Sequence, residues 1–373
     1  MPTSKKELLE TLNKWLSLLI EKKGTDLHIK SNAPIKARIG GDIQLLSKEL
    51  MGTSASMIEG LVLSLIGTSK IETFKANKEF DSVYVLQNQY RFRYNIYKHH
   101  NGYAISFRLI TYKIQTLESL NLPSALHKIS KLSHGLVLIT GVTGSGKSTT
   151  LTTILEEINR TSQRHIITIE DPIEYVFEDQ SCIIEQREIG LDANSVGRAL
   201  RAALREDPDI IVVGEIRDLD TAESILQAVN TGHLILSTTH TTDAKETIDR
   251  LIAIFPTNEQ NRVRATLAET LEAIISQRLI KGRDNKMIPA VEMMFRSPFI
   301  QDLIRNKRDN EIVDAMEKEG NTFDSITFNQ ALYDLVLSEK ITEDSAYQHA
   351  TSPSDLKLML SLSEEYNAKE EKY

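Results

Sequence analysis

Residues Gly141-Val142-Thr143-Gly144-Ser145-Gly146-Lys147-Ser148 follow the pattern G-x-x-x-x-G-K-[ST]. That pattern suits a phosphate cradle. Glycines let backbone N–H groups turn inward, and a helix N-terminus adds positive potential. Lys147 is placed to reach the β- and γ-phosphates of ATP, and the Ser148 hydroxyl to hold Mg²⁺. Thr149 joins residues 141–148 as an expected nucleotide contact. An ordinary glycine-rich turn would show the same letters. Here an apolar run, 135–140, precedes the loop and a helical pattern, 149–159, follows it, which is the context the motif requires.

Acidic residues stand at two further strand-like runs. Asp209-Ile210-Ile211-Val212-Val213-Gly214-Glu215 is apolar with an acid at its far end. In an open α/β sheet ligands bind beyond the carboxyl ends of strands, so Glu215 is aimed at the nucleotide and suited to polarise the attacking water. The alternative is a surface acid paired with Arg217. The run 166–169 ends in Glu170-Asp171-Pro172-Ile173-Glu174. Such crowding of acids is unfavourable unless a cation lies nearby. Mg²⁺ and its waters would serve, and Glu170, Asp171 and Asp209 join Ser148 as candidates to approach the metal. A solvated acidic loop is the plainer reading.

Two histidines and three arginines complete the candidates. Thr231-Gly232-His233 opens another apolar run, 234–237, and Thr238-Thr239-His240-Thr241 closes it. His240 lies at the nucleotide end, where it either senses the γ-phosphate, hydrogen-bonds the catalytic acid, or is structural. His233 lies at the opposite end and reads as structural. Along 90–97, Tyr90, Phe92, Tyr94 and Ile96 alternate with Arg91, Arg93 and Asn95. This period of two puts Arg91 and Arg93 on one strand face, with Arg108 of the next strand joining them if the register permits. Guanidiniums gathered on one face suit a polyphosphate arriving from another domain or subunit. A solvated polar face with pairs inside its own domain is the alternative.

These residues need elements to position them. Residues 1–110 mix short strands (26–30, 35–39, 43–46) and helices (8–20, 54–66), as expected of a small α+β domain. Strands at 90–97 and 103–109 read as a hairpin through His99-His100-Asn101-Gly102, with a loop longer than two residues. Residues 111–124 read as a polar linker. Beyond it, short apolar runs alternate with helical patterns, the signature of a parallel sheet with crossover helices. That core is expected over 125–280. From about Glu259 the pattern is mostly helical, giving a helical region over 281–363 and a polar, frayed tail over 364–373.

Bulk properties narrow the function. The chain has 373 residues, 40% hydrophobic and 26% charged, with a net charge of −8. That balance argues against a protein that tracks nucleic acid on a basic face. Cys182 is the only cysteine, so neither a disulfide framework within the chain nor a four-cysteine zinc site can form, in keeping with a reducing cytoplasm. No signal peptide is evident, and no run nears the roughly 18 apolar residues that span a bilayer. Membrane contact would go through a partner.

With these residues in place, the chain resembles the secretion-superfamily ATPases, specifically the type IV pilus retraction ATPases. Four boxes stand at that family's spacing: residues 141–148, 169–174, 209–215 and 231–240. The resemblance implies a PAS-like N-terminal domain, a RecA-like P-loop ATPase domain with a helical C-terminal region, and a ring of six subunits. It implies catalytic roles for Glu174 and Glu215, importance for His233 and His240, and arginines supplied from the hairpin by Arg91, Arg93 and Arg108. Nucleotide would bind between the two domains next to a neighbouring subunit. Hydrolysis would act on an inner-membrane platform protein of the pilus, with a paralogous retraction ATPase as a further partner. The family's retraction signature A-I-R-N-L-I-R-E stands here as Phe299-Ile300-Gln301-Asp302-Leu303-Ile304-Arg305-Asn306. Segments around 327–333 and 352–356 resemble the accessory paralogue, whereas the front of the motor domain resembles the principal enzyme. Assembly-type ATPases are longer and carry paired C-x-x-C motifs, which this chain lacks. A nucleotide-gated structural ring with scant turnover and a DNA-translocating motor are the other readings considered.

Overall fold

The computed structural model describes residues 4–47, 53–87, 90–110 and 114–370, and the chain forms two compact units, Met1–Tyr112 and Lys113–Tyr373.

The first unit opens with helix α1 (Lys5–Glu21), started by a reciprocal cap in which Ser4 Oγ accepts from Glu7 N–H and Glu7 accepts from Ser4 N–H. Strands β1 (Gly24–Lys30), β2 (Lys36–Ile39) and β3 (Asp42–Leu45) follow, then helices α2 (Ala55–Ile66) and α3 (Ile71–Asn77). Strands β4 (Glu79–Leu86), β5 (Tyr90–His99) and β6 (Gly102–Ile110) complete it. The sheet is antiparallel in the order β3-β2-β1-β6-β5-β4. Leu12, Trp15, Leu16 and Leu19 of α1 share one core with Leu61 of α2 and with Leu27, Ile29, Phe92, Ile96 and Phe107 of the sheet. Each such side chain contributes roughly 1.5–3 kcal/mol of burial. Strand β4 was not anticipated. The hairpin turn is also tighter than expected: His99 pairs with Gly102, leaving His100 and Asn101 as a two-residue turn.

The second unit contains β7 (Gly135–Thr140), α4 (Lys147–Thr161), β8 (His165–Glu170), β9 (Ile183–Glu188), α5 (Val196–Ala203), β10 (Ile210–Val213), α6 (Leu219–Asn230) and β11 (Leu234–Thr239). It continues through α7 (Ala244–Ala253), α8 (Gln260–Thr270), β12 (Leu271–Lys281) and β13 (Met287–Phe295). Five helices finish it: α9 (Pro298–Arg305), α10 (Ile312–Phe323), α11 (Phe328–Leu337), α12 (Glu343–His349) and α13 (Pro353–Glu370). Strand order is β13-β12-β7-β11-β10-β8-β9, parallel throughout except for β13. Strands β7, β10 and β11 are buried at every position, as expected of a sheet covered on both faces.

Three expectations change here. The mostly helical reading from residue 259 fails over 271–295, where β12 and β13 extend the sheet; β9 was also missed. The expected linker at 111–124 lies partly outside the described residues, and its described part is not a free connector. Leu117 and Leu122 are buried in the core beside Leu126 and Ile129. The tail expected to fray from residue 364 continues α13 to Glu370.

Glu292 on β13 joins the C-terminal helices to the sheet. Its carboxylate accepts from Ala244 N–H at 2.9 Å and from Phe328 N–H at 3.4 Å, the first residues of α7 and α11. Helix N-termini favour an anion. Burial nevertheless pushes this carboxyl up to about 7, with Asp243 adding to the shift while the two amides and Arg278 oppose it. The folded chain thus keeps a proton that the unfolded chain releases near pH 4.5. Stability from this group is full below about pH 4.5 and declines until about pH 7, on the order of 3 kcal/mol in all. In Glu292→Gln this slope should vanish. Urea denaturation of both proteins from pH 5 to 8 measures it, and a stability difference constant with pH would show that Glu292 does not titrate there.

Candidate active site

The phosphate loop hangs from the end of β7. Gly141 and Gly146 hold φ of 140° and 92°, in the left-handed region. A Cβ at Gly141 would lie 2.4 Å from the Gln277 carbonyl oxygen, so glycine is required there by space as well as by conformation. Helix α4 begins at Lys147 without a side-chain cap, and Thr150 N–H is bonded back to Gly146 O at 3.0 Å. The amides of the first turn are thus left for an anion. Ser145 is 2% exposed, and its Oγ has no hydrogen-bond partner among the described residues. Uncapped amides, an unpartnered hydroxyl and a lysine fit a polyphosphate.

Lys147 Nζ donates to the carbonyls of Gly141 (2.6 Å) and Val142 (3.0 Å) and lies 3.2 Å from His240 Nδ1. Burial lowers its pKa, and the charges of Glu215 and Glu174 oppose the shift. Glu215 sits just past β10. Its Oε1 is 3.2 Å from His240 Nε2, and its Oε2 accepts from Arg217 Nε at 2.7 Å. A ring nitrogen that accepts from the ammonium and another that donates to the carboxylate require the Nε2–H tautomer of His240. Arg217 also reaches Asp171, at 3.6 Å. Glu215 thus pairs with Arg217, as the plainer reading has it, and also lines the cleft.

That cleft has a volume of about 700 Å³ and is lined by Thr143, Gly144, Gly146, Lys147, Ser148 and Thr149 together with Glu170, Asp171, Glu174, Glu215, Arg217 and His240. Thr149 Oγ1 lies 3.1 Å from the Tyr175 hydroxyl. Glu170 is committed elsewhere. It accepts from Thr168 Oγ1 at 2.6 Å and Gln186 Nε2 at 3.0 Å, and burial raises its pKa. Among the described residues no three acids, histidines or cysteines cluster to hold a metal ion. Ser148, the second residue of α4, lines the cleft with a hydroxyl of the kind that suits a hard cation.

Two expected site residues are not at the cleft. Asp209 precedes β10 whereas Glu215 follows it, a separation of roughly 20 Å along extended chain. No single cation touches both. Asp209 instead accepts from His165 N–H at 2.8 Å. His233 precedes β11, with Nδ1 3.0 Å from Thr231 Oγ1 and 3.2 Å from Ala228 O. Strand direction separates it from His240.

The arginine face is formed in the first unit. Arg93 pairs with Arg108 across β5 and β6, and Arg91 stands two residues before Arg93, so all three share the face opposite Phe92. Arg108 Nε donates to Asp26 at 2.7 Å, and Arg93 lies 3.8 Å from Asp81. Burial raises the Asp26 pKa, but the Thr25 hydroxyl and Arg108 outweigh it, and the carboxyl lies below its ordinary value.

Gln277 and Tyr175 were not anticipated. Gln277 is an amide inside an apolar run, which is the sequence signal of a buried polar contact.

Residues 3–327 match the family described as type II/IV secretion system protein. The type IV pilus retraction ATPase PilT of Pseudomonas aeruginosa is 38% identical over 331 residues, covering 89% of this chain and 95% of that protein. The type IV pilus ATPase PilU of the same organism is 36% identical over 356 residues, covering 95% and 92%. A crystal structure of the pilus retraction motor PilT with bound ADP superimposes with a TM-score of 0.86 at 37% identity, covering 93% of this chain and 98% of that one. The chain belongs to the type II/IV secretion system protein family and, within it, to the PilT-like retraction ATPases.

Proposed function

We propose that this chain is an ATP-hydrolysing motor that powers retraction of a type IV pilus, working as a ring of six on an inner-membrane platform protein. The observation that carries the reading is the line from Lys147 through His240 to Glu215, drawn at the ends of adjacent parallel strands. It ties a phosphate-binding cation to an acid suited to activate water.

In this reading the loop amides and Lys147 bind the β- and γ-phosphates, Lys147 exchanging its bonds to Gly141 and Val142 for phosphate oxygens. Water attacks the γ-phosphorus, the bond to the ADP oxygen breaks, and Glu215 accepts the water proton before passing it to solvent. His240 and Arg217 orient the carboxylate. Mg²⁺, when bound with the nucleotide, would neutralise charge on the β- and γ-oxygens, held by Ser148 with Glu174 and Asp171 beside its waters. Arg91, Arg93 and Arg108 serve as phosphate-facing cations donated to a neighbouring subunit. Membrane association runs through the platform. No helix among the described residues is long and apolar enough to cross a bilayer.

Lys147→Ala should lose nucleotide binding, read by calorimetry with Mg·ATP. Glu215→Gln should bind Mg·ATP within a few-fold of wild type while phosphate release falls by roughly 10²–10⁴. Equal and negligible turnover in wild type and Glu215→Gln would instead mark a structural ring.

Arg93→Ala rings should hydrolyse ATP slowly with near-normal affinity. Mixing them with Glu215→Gln subunits should restore part of the turnover if the arginine acts in trans. No recovery at any ratio, in rings shown to be mixed, would remove that role.

Cells lacking the protein should carry surplus pili that do not retract. Bald cells would indicate an assembly motor.

A further inference from the structure

Strand β12 outruns its neighbour. The last rung between β7 and β12 pairs Thr140 with Ser276, and a hydrogen bond between their hydroxyls (3.0 Å) closes it. The next residue on β12, Gln277, therefore lies beside the phosphate loop rather than beside strand. Gln277 is 3% exposed. Its carbonyl oxygen backs Gly141, where an added Cβ would come within 2.4 Å. Its Nε2 backs Gly146, where an added Cβ would come within 2.8 Å. Its Oε1 accepts from Thr150 Oγ1, in the first turn of α4, at 2.7 Å. One residue thus meets the first glycine of the loop, the last glycine, and the helix the loop feeds.

We propose that Gln277 is a positioning residue for the phosphate loop, fixing its span and the direction of the α4 amides through Thr150. This rests on the reading that the loop binds a polyphosphate. The physical reason is preorganisation. The loop amides converge on an anion only if both ends of the loop are pinned, and the glycines that permit the turn cannot pin it themselves. A buried amide bonded to the helix and packed under the loop supplies the restraint without adding charge beside the phosphates. Gln277 touches neither substrate nor reacting atoms in this role, so its effect falls on nucleotide affinity more than on the chemical step.

The test uses the full chain with Gln277→Leu, Thr150→Val and the double variant, each measured for Mg·ADP affinity by calorimetry, for KM and kcat with Mg·ATP, and for Tm. Each single substitution should weaken Mg·ADP binding roughly tenfold, the worth of one buried hydrogen bond. The double should be no worse than the weaker single, because both remove the same interaction. KM should rise more than kcat falls, and Tm should drop only by the few degrees that one lost buried hydrogen bond costs. Thr150→Val preserves shape and keeps the test alive if Gln277→Leu fails to fold. Unchanged affinity in Thr150→Val, additive losses, or affinity that falls only in step with Tm would overturn the proposal. Absence of Mg·ADP binding by the wild type would overturn the loop assignment as well, which separates the two failures.

Discussion

Parallel pairing aligns strand ends, and the second unit depends on that alignment. Strands β7, β11, β10 and β8 are neighbours and run the same way, so the residues just past Thr140, Thr239, Val213 and Ile169 emerge along one edge. The phosphate loop, His240, Glu215 and the acidic segment from Glu170 to Glu174 are those residues. An antiparallel partner at any of these places would send its acid or histidine to the far edge. Hydrogen bonds across the edge tighten the arrangement: Thr238 Oγ1 donates to Gly214 O at 2.6 Å, and Gly214 N–H donates to Ile169 O at 2.9 Å.

Charge is balanced on the same edge. A buried ammonium is costly unless anions stand near it. Lys147 meets that condition through the Gly141 and Val142 carbonyls and through the fields of Glu215 and Glu174. Glu215 is in turn engaged on both oxygens, by His240 and Arg217. The site is therefore a chain of alternating charge, from Lys147 through a histidine to Glu215, Arg217 and Asp171. A polyphosphate that draws Lys147 away from the loop carbonyls also relieves His240 of one partner. In the proposed reaction the histidine would connect the state of the phosphates to the orientation of the acid.

Much of this edge was legible from the residues. An apolar run followed by a glycine-rich loop, and two more runs ending in acids, specify strand direction and hence which end faces the ligand. The same rule shows why Asp209 and His233 do not belong. Each precedes its strand: Asp209 stands a strand's length from Glu215, and His233 lies at the opposite end of β11 from His240, as strand direction implies. Strands β12 and β13 were illegible for a different reason. Leu271–Lys281 is an apolar run whose polar residues, Glu272, Ser276, Gln277, Arg278 and Lys281, fit helical spacing nearly as well as strand spacing, and what decides it is pairing with β7, a contact from more than 130 residues away. Missing that strand also hid Gln277. The hairpin between β5 and β6 was seen, but the pairing of His99 with Gly102 that shortens its turn depends on register, which local composition does not fix.

The arginine face of the first unit raises a question of stability that its neighbours answer. Arg93 stands directly opposite Arg108, and like charges in that position are destabilising. The cost is offset along the same row of the sheet. Asp26 pairs in register with both Arg38 and Arg108 and is bonded to the latter, while Asp81 stands near Arg93. Arg108 is hydrogen-bonded to its acid, whereas Arg38 and Arg93 lie 3.9 and 3.8 Å from theirs, so these three guanidiniums share two carboxylates. Phe92 and Phe107 fix the strands from the core side. In the proposed role, an arginine already bonded to an acid, as Arg108 is to Asp26, would meet a polyphosphate at lower entropic cost than a loose one.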